Sequence, residues 1–297
     1  MDPAAPGGVN TISAETLTKG TFALTFGVDF STFETVDDAE GLDRSAASGD
    51  HVDAIDHSFI ETLALSYGVT DTFELGLAAG YYTARDARIY DAGTEDPEEE
   101  PTVKTFDPDG ATDVWLHGKF RFAKSADRTS AFIGGIKAPT GKDNVTDSEG
   151  EPVEPPSRAG TGAWDADLAF AHTERISQRF RVDASARYTF HQRHEDFRIG
   201  DRVDLGVAAC YRMSLKHLPR WFVIGELNAR FRQHNEEGSA DVPNSGGNSY
   251  FATVGVVTQL SEKMSIVLAG VAPLMEDLNG NQVETRAKLQ AAVSFEF

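Results

Sequence analysis

The sequence predicts an all-β fold, namely a transmembrane antiparallel up-and-down β-barrel of about 12 strands. Apolar residues alternate with polar or small ones at a period of two in segment after segment, as in strands whose two faces meet different surroundings. The connections between these segments alternate between short and long, and the last segment ends in the aromatic residue Phe297. A soluble β-sandwich would explain the alternation, but it gives no reason for the asymmetry of the connections.

Composition fits this prediction and excludes other classes. The 297 residues have a mean hydropathy of -0.33 and no run of eighteen apolar residues, so the sequence contains no candidate membrane-spanning helix. The formal net charge of -20 argues against a nucleic-acid partner. The single cysteine, Cys210, allows no internal disulfide. The chain opens on a polar segment, so we expect a mature form that follows a start methionine.

Each predicted strand rests on the same alternation. In the first, Phe22, Leu24 and Phe26 point to one face, and Ala23 and Thr25 to the other. The strands are predicted at 22–30, 59–69, 73–81, 114–122, 132–138, 164–170, 180–190, 203–211, 221–231, 250–260, 264–272 and 283–297. In the strands at 250–260 and 264–272 both faces are apolar or small, so their register stays open. Residues 1–18 are predicted to form a polar tail or plug, and residues 19–297 the barrel.

The connections indicate orientation. Thr70–Thr72 makes a tight hairpin, whereas the connections at 37–57, 84–110 and 141–162 are long and acidic. Transmembrane barrels place short turns on the periplasmic side and long loops outside. We expect the acidic loops to be solvated and unpacked rather than to bind divalent cations.

No metal site and no cofactor is predicted. His191 and His194, with Glu195 beside them, do not make up the three or four converging ligands that zinc requires.

If the apolar face meets lipid, the opposite face lines the lumen, and its charges are of both signs. The alternation assigns to this face Asp113, Trp115, Lys119, Arg121, Lys137, Asp165, Asp167, Arg181, Asp183, Arg187, Asp204, Arg212, Glu226, Arg230, Arg232, Glu284, Arg286 and Lys288. Asp29, Glu74 and Arg202 belong to the same face. Two interpretations remain open: a salt-bridged wall that stiffens the barrel, or a polar track for a solute with a basic strip.

Aromatic residues near the strand ends predict the girdles that mark membrane interfaces. They are Trp164, Trp221, Tyr81, Tyr188, Phe190 and Phe231. An aromatic substrate cage is the alternative. At the C-terminus, Val293, Phe295 and Phe297 resemble the signal that the barrel-assembly machinery reads in outer-membrane proteins.

Three phrases resemble a known family. They are VNTISAETLTKGTFAL at 9–24, YGVTDTFELGL at 67–77 and GGIKAPTGKDN at 134–144. Their order is similar to that in the outer-membrane transporter family of the MetA-pathway of phenol degradation. There, a Glu-Thr step precedes strand one, a Tyr-Gly-x-Thr-Asp turn joins strands two and three, and Pro-Thr-Gly follows strand five. The resemblance implies passage of small solutes, often aromatic or hydrophobic, and carries over no catalytic residues.

The predicted function is therefore a non-enzymatic channel of the bacterial outer membrane for passive uptake of small solutes. Its expected partners are outer-membrane lipid, lipopolysaccharide, the barrel-assembly machinery and the solute. One alternative is a closed structural or adhesive barrel with acidic extracellular loops. Another is a lipid hydrolase at the outer rim that would use His234 with Ser239, Ser245 or Ser249.

Overall fold

The computed structural model describes residues 7–93, 100–214 and 217–297. Twelve long strands lie in these ranges, in up-and-down order. They are β1 (Phe22–Phe33), β2 (His57–Thr70), β3 (Phe73–Arg85), β4 (Val114–Lys124), β5 (Arg128–Ala138), β6 (Asp165–Arg175), β7 (Phe180–His191), β8 (Arg202–Arg212), β9 (Arg220–Arg232), β10 (Gly247–Ser261), β11 (Met264–Leu278) and β12 (Thr285–Glu296).

The barrel is closed. Each strand pairs antiparallel with its neighbour in sequence, and β1 pairs with β12 from Ala23↔Glu296 to Phe33↔Thr285. Closure leaves no strand edge, so the backbone amides and carbonyls of the wall bond within the sheet. The predicted fold class is confirmed.

Side chains alternate across the wall as the sequence predicts. On β6, Leu168 is 73% exposed, whereas its neighbour Asp167 is only 4% exposed. Val254, Leu227 and Leu289 are likewise exposed on the outer face of other strands. An apolar outer face around a charged interior is the arrangement of transmembrane barrels. Among the described residues, no helix has the length and hydropathy that a membrane span needs.

Aromatic side chains gather at both ends of the outer face. Tyr81, Trp164 and Phe190 are exposed at the end with the long connections, and Trp221 and Phe297 at the end with the short turns. Trp115 instead lies on the lumen side, where it stacks on His117 with ring centroids 5.2 Å apart. The sequence register had also pointed Trp115 inward.

The long connections form a packed cap, in contrast to the solvated loops expected from the sequence. Helix α1 (Asp38–Ser48) follows β1, and its N-terminus is capped by Asp37, which accepts a hydrogen bond from Glu40 N at 2.9 Å. A small sheet follows, formed by the loop strands Val52–Ala54, Arg88–Asp91 and Thr102–Thr105.

Two small apolar clusters hold the cap together. One comprises Val36, Val52, Ala54 and Tyr90, and the other Ala87, Phe106, Val145 and Val153. In each cluster the members come from two different connections. Each loop has few apolar residues of its own, and these residues are buried by packing against residues of another loop. The acidic run predicted in the 84–110 connection falls mostly on residues 94–99, which lie outside the described residues.

Candidate functional site

The lumen face of the wall carries networks of paired charges. At the cap end, Lys137 Nζ lies 3.0 Å from Asp113 Oδ2 and 2.5 Å from Asp165 Oδ2. All three side chains are nearly inaccessible to solvent. Buried ions of opposite sign need such pairing, because an unpaired charge away from water is costly.

Asp113 also ties the cap to the barrel. Its carboxylate accepts hydrogen bonds from Thr140 N (3.0 Å), Gly141 N (2.8 Å) and Thr161 N (3.0 Å). These donors lie at the two ends of the connection between β5 and β6. One side chain therefore fixes where that loop leaves the wall and where it returns.

Two further networks lie on the wall, one towards the cap end and one near the short turns. Asp167 Oδ2 is 3.0 Å from His117 Nε2 and 3.5 Å from Arg187 Nε. Arg181 pairs with Asp183 at 2.7 Å, and both are buried.

One carboxylate serves two guanidinium groups near the cap end. Asp204 lies 2.7 Å from Arg202 Nε and 2.8 Å from Arg230 Nε. Sharing of one negative charge between two positive ones leaves a positive excess on this part of the wall.

The N-terminal segment, residues 7–18, lies inside the barrel. Glu226 on β9 receives its backbone N–H groups: Asn10 N donates at 3.0 Å, Thr11 N donates at 3.1 Å, and Val9 N donates as well. Gly8 fits here because a Cβ at this position would lie 2.8 Å from Glu226 Oε1 and 2.9 Å from Ala208 Cβ.

Other parts of the wall hold the same segment. Asn10 and Gln290 on β12 exchange two side-chain hydrogen bonds, at 3.0 and 3.1 Å. Ile12 N donates to Ser185 Oγ at 3.1 Å, and Ala14 packs among Ala131, Ile133, Ala169 and Ala171. Residues 7–18 therefore bridge β9 and β12 across the lumen.

Nearer the short turns, the segment meets basic residues. Glu15 Oε2 lies 3.7 Å from Arg121 Nη1 and 3.5 Å from Lys124 Nζ. Leu17 N donates to Glu74 at 2.9 Å, and Lys119 lies 3.8 Å from the same carboxylate.

Two cavities follow one another along the lumen. The inner cavity has a volume of about 660 Å³ and lies between residues 9–12 and the wall. The outer vestibule, about 340 Å³, lies under the cap. Both are lined by Arg230, Phe251 and Lys288, so the two spaces meet at these side chains.

The structure separates the predicted lumen residues into groups. Arg187, Asp204, Arg230 and Lys288 line the inner cavity, and Arg232 lines the vestibule. The residues on the lumen face that take part in ion pairs or in contacts with residues 7–18 are Asp113, Lys119, Arg121, Lys137, Asp165, Asp167, Arg181, Asp183 and Glu226.

Three predicted residues remain, namely Arg212, Glu284 and Arg286, and they too line neither cavity. Arg212 lies at the short-turn end with its guanidinium 5.7 Å from the centre of the Phe222 ring. Arg286 sits at an irregularity in the pairing of β1 with β12, is exposed, and lies near the cap end. The backbone carbonyl of Glu284 accepts a hydrogen bond from Glu34 N there.

The sequence did not reveal the apolar part of the lumen. Phe222 and Ile224 are fully buried on the inner face of β9, together with Cys210, Val257 and partly buried Val9. Phe251 also faces inward, on β10, where both strand faces are apolar. A register anchored on Glu226 would have placed Phe222 and Ile224 inside, because they share its parity.

The rim serines make no catalytic arrangement with His234. Its Nδ1 lies 3.1 Å from Val242 O, and Ser245 Oγ donates to the same carbonyl at 2.6 Å. A serine–histidine hydrogen bond does occur between Ser130 and His172, at 2.8 Å. In the described part of the chain no carboxylate bonds to His172, so the group that would orient the base is missing.

No group of three or more His, Cys, Asp or Glu residues among those described is arranged to hold a metal ion.

The C-terminal residues complete the barrel seam. Phe297 N and O both bond to Phe22 of β1, and the two rings stack with centroids 5.7 Å apart. Phe295 and Phe297 are exposed on the outer face.

The closed wall, apolar belt and charged lumen define a transmembrane β-barrel of the bacterial outer membrane. No family model matches the chain, and no curated protein matches it. Its structure is similar to that of an outer membrane channel from Pseudomonas putida F1, with a TM-score of 0.69 and 14% identity over 98% of this chain and 100% of that one. The NanC porin gives a TM-score of 0.50 and 8% identity over 92% of this chain and 98% of its own. At such identities the likeness concerns the fold.

Proposed function

We propose that this barrel is a passive channel for small solutes, aromatic or hydrophobic ones among them, and that residues 7–18 form its plug. The observation that carries the proposal is the continuous space inside the barrel. The vestibule meets the inner cavity at Arg230, Phe251 and Lys288, and the floor of the inner cavity includes residues 9–12. A closed structural barrel would not need an interior space of about 660 Å³ next to a vestibule of about 340 Å³.

We also infer membership in the transporter family of the MetA-pathway of phenol degradation. In support, each of the short motifs that resemble this family makes a structural contact, and two of them contact each other. Thr16 Oγ1 donates to Asp71 O at 3.0 Å, which joins the Glu-Thr step to the β2–β3 turn. The backbone of Thr140 and Gly141, from Pro-Thr-Gly, bonds to Asp113. These motifs thus anchor the plug at one end of the barrel and a cap loop at the other.

Three partners are inferred from the outer surface and the cap. The exposed C-terminal Phe295 and Phe297 suit recognition by the barrel-assembly machinery, and the outer belt suits lipid. The acidic cap would face the lipopolysaccharide layer. An exposed cap of this charge is also what the alternative, an adhesive barrel, would present to a partner.

Single-channel conductance in a planar bilayer tests the proposal. The full-length chain is compared with a chain that lacks residues 1–18, and a chain that lacks only residues 1–6 is the matched control. We expect the 1–18 deletion to give larger discrete steps than either other form, because it removes the contacts to Glu226, Gln290 and Glu74.

Heat-modifiable mobility on a gel verifies that each form is folded. Absence of steps in all three folded forms would overturn the channel. Equal steps in all three would keep the channel and overturn the plug.

A further inference from the structure

We propose that the inner cavity binds a small organic carboxylate, with its anionic group at Lys288 and the neighbouring arginines and its apolar body against Phe251. The inference rests on the proposed function, since the solute must enter from the vestibule. Three observations support this solute class: the positive charge balance of the cavity, the lack of a carboxylate close to Lys288 among the described residues, and the apolar lining of the cavity.

The inner cavity is positive although the chain as a whole is strongly negative. Its ionisable lining consists of Arg187, Arg202, Arg230 and Lys288 against Asp29 and Asp204. Four cations and two carboxylates give a local balance of +2, compared with a formal net charge of -20 for the chain. Away from bulk water such an excess favours an anion, because the attraction is less screened there.

Lys288 is the cation of this set that has no carboxylate partner. Asp204 is shared between Arg202 and Arg230, and Asp167 lies near Arg187. Among the described residues no carboxylate oxygen lies within 4.0 Å of Lys288 Nζ, which instead sits 5.1 Å from the centre of the Phe251 ring. A cation–π contact of this kind leaves the ammonium free to donate hydrogen bonds to a ligand.

Arginine supplies the complementary geometry. The Nε atoms of Arg187 and Arg202 are buried, and neither makes a hydrogen bond of good geometry within the described residues. A guanidinium binds a carboxylate through parallel N–H donors, and such charge-assisted bonds are stronger than neutral ones. Arg187 Nε and Arg202 Nε lie 3.5 Å from Asp167 and 2.7 Å from Asp204 without the geometry of a full hydrogen bond, so a ligand carboxylate could add charge-assisted bonds to these guanidinium groups.

The ligand also needs an apolar part. Phe251 and Val271, both buried, line the cavity beside Lys288, and Ile12 of the plug lines it from the other side. A cavity that combines apolar walls with a few converging charges is typical of small-molecule sites, and its volume lies within their usual range. An aromatic monocarboxylate such as benzoate matches both features.

Isothermal titration calorimetry on the full-length protein in detergent at low ionic strength tests the site. The probes are benzoate and benzamide, which differ in charge but little in shape. We expect benzoate to bind about tenfold more tightly than benzamide, and Lys288→Gln to remove about tenfold of that affinity. Lys288→Arg keeps the charge and should retain most of the binding.

Lys263→Gln is the matched control, since Lys263 lies exposed in the β10–β11 turn outside both cavities. Equal affinity for benzoate and benzamide would overturn the inference, and so would equal benzoate binding by the Lys288→Gln and Lys263→Gln proteins.

The two proposals fail in different ways. Discrete conductance steps without benzoate binding would overturn the anion site and keep the channel. Charge-dependent benzoate binding without conductance in any form would overturn the channel and keep the site.

Discussion

The inner cavity and the cap are both rich in charge, but the two regions use it differently. Around the inner cavity, cations outnumber carboxylates, and Lys288 has no carboxylate within 4.0 Å in the described part of the chain. In the cap wall of the vestibule, His51 sits among three carboxylates, those of Asp50, Asp53 and Glu154. The cap therefore uses charge to join loops, whereas the inner cavity keeps an excess of positive charge.

The difference shows that the net charge of the chain does not predict the charge of the barrel lumen. Most of the excess acid is in the connections, where backbone N–H groups donate to carboxylates such as Asp109 and Asp147. Strand positions that face the lumen have fixed neighbours, so their charges are set by pairing across the wall. A cavity can thus be positive in an acidic chain, and its selectivity depends on a few unpaired groups.

The largest expected effect follows from loss of the plug anchor. Glu226→Ala removes the acceptor for three plug N–H groups, and each buried donor left unsatisfied costs about 1–3 kcal/mol. We expect the plug to leave the inner cavity for part of the time. An Asn10→Cys probe, in a Cys210→Ala background, should then react with a membrane-impermeant maleimide about tenfold faster or more.

Glu284→Ala is the matched control, because Glu284 lies at the cap end of the barrel, away from residues 9–11, and lines neither cavity. Equal labelling rates in the Glu226→Ala and Glu284→Ala proteins would mean that Glu226 does not hold the plug. In that case the packing of Ala14 against its apolar neighbours would hold the segment in the lumen instead.

A smaller effect is expected where the cap joins the wall. Asp113→Ala leaves Thr140 N, Gly141 N and Thr161 N without their acceptor and removes one partner of Lys137. Loss of such a buried group should reduce the local stability of the 139–164 loop by about 2–4 kcal/mol. Hydrogen exchange measured by mass spectrometry should show faster exchange in that loop.

The same variant tests whether the cap and the inner cavity are coupled. If the cap and the inner cavity are independent, Asp113→Ala should leave maleimide labelling at position 10 unchanged. Asp113→Asn, which keeps an oxygen acceptor without the charge, should have an intermediate effect on exchange. Faster labelling at position 10 in the alanine variant would show that cap and plug are coupled.

The alternation in sequence was enough to predict the barrel, because a wall between lipid and a polar lumen imposes a period of two on every strand. It also assigned Arg230 and Lys288 to the lumen, and both line the inner cavity. It did not resolve the inward Phe251, since where both faces are apolar the pattern carries no register. Phe222 shares the parity of Glu226, so the register of its strand was sufficient to place it inside.

The path of the plug and the packing of the cap were beyond such reasoning. Asn10 meets Gln290, and Glu226 meets residues more than two hundred positions away, so no local pattern could indicate these contacts. Tyr90 fills the cap core with Val36 and Val52, which belong to another connection. Arg286 was assigned to the lumen by parity, but the irregular pairing beside it breaks that parity at the rim.

The smallest expected effect is a pH dependence confined to the cap. Hydrogen bonding to Asp50, opposed by burial and aided by the charges of Asp53 and Glu154, raises the pKa of His51 to about 9. Burial raises the pKa of Glu154 to about 7, an effect that the nearby His51 opposes and Asp53 and Glu237 reinforce.

Both groups hold protons more tightly in the folded cap than in an unfolded loop, so the cap should lose stability as the pH rises. The loss should run from about pH 4.5 to 7 through Glu154 and from about 6.5 to 9 through His51. Exchange rates of residues 50–54 and of Glu154 and Ser157, corrected for the intrinsic pH dependence of exchange, should increase across this range, while those of β8 and β9 stay constant. His51→Gln should flatten the response above pH 6.5, whereas His217→Gln, at the opposite end of the barrel, should not. An equal pH response in β8 and β9 would mean that the cap and the barrel wall open together, and the distinction between a titrating cap and a fixed lumen would then be lost.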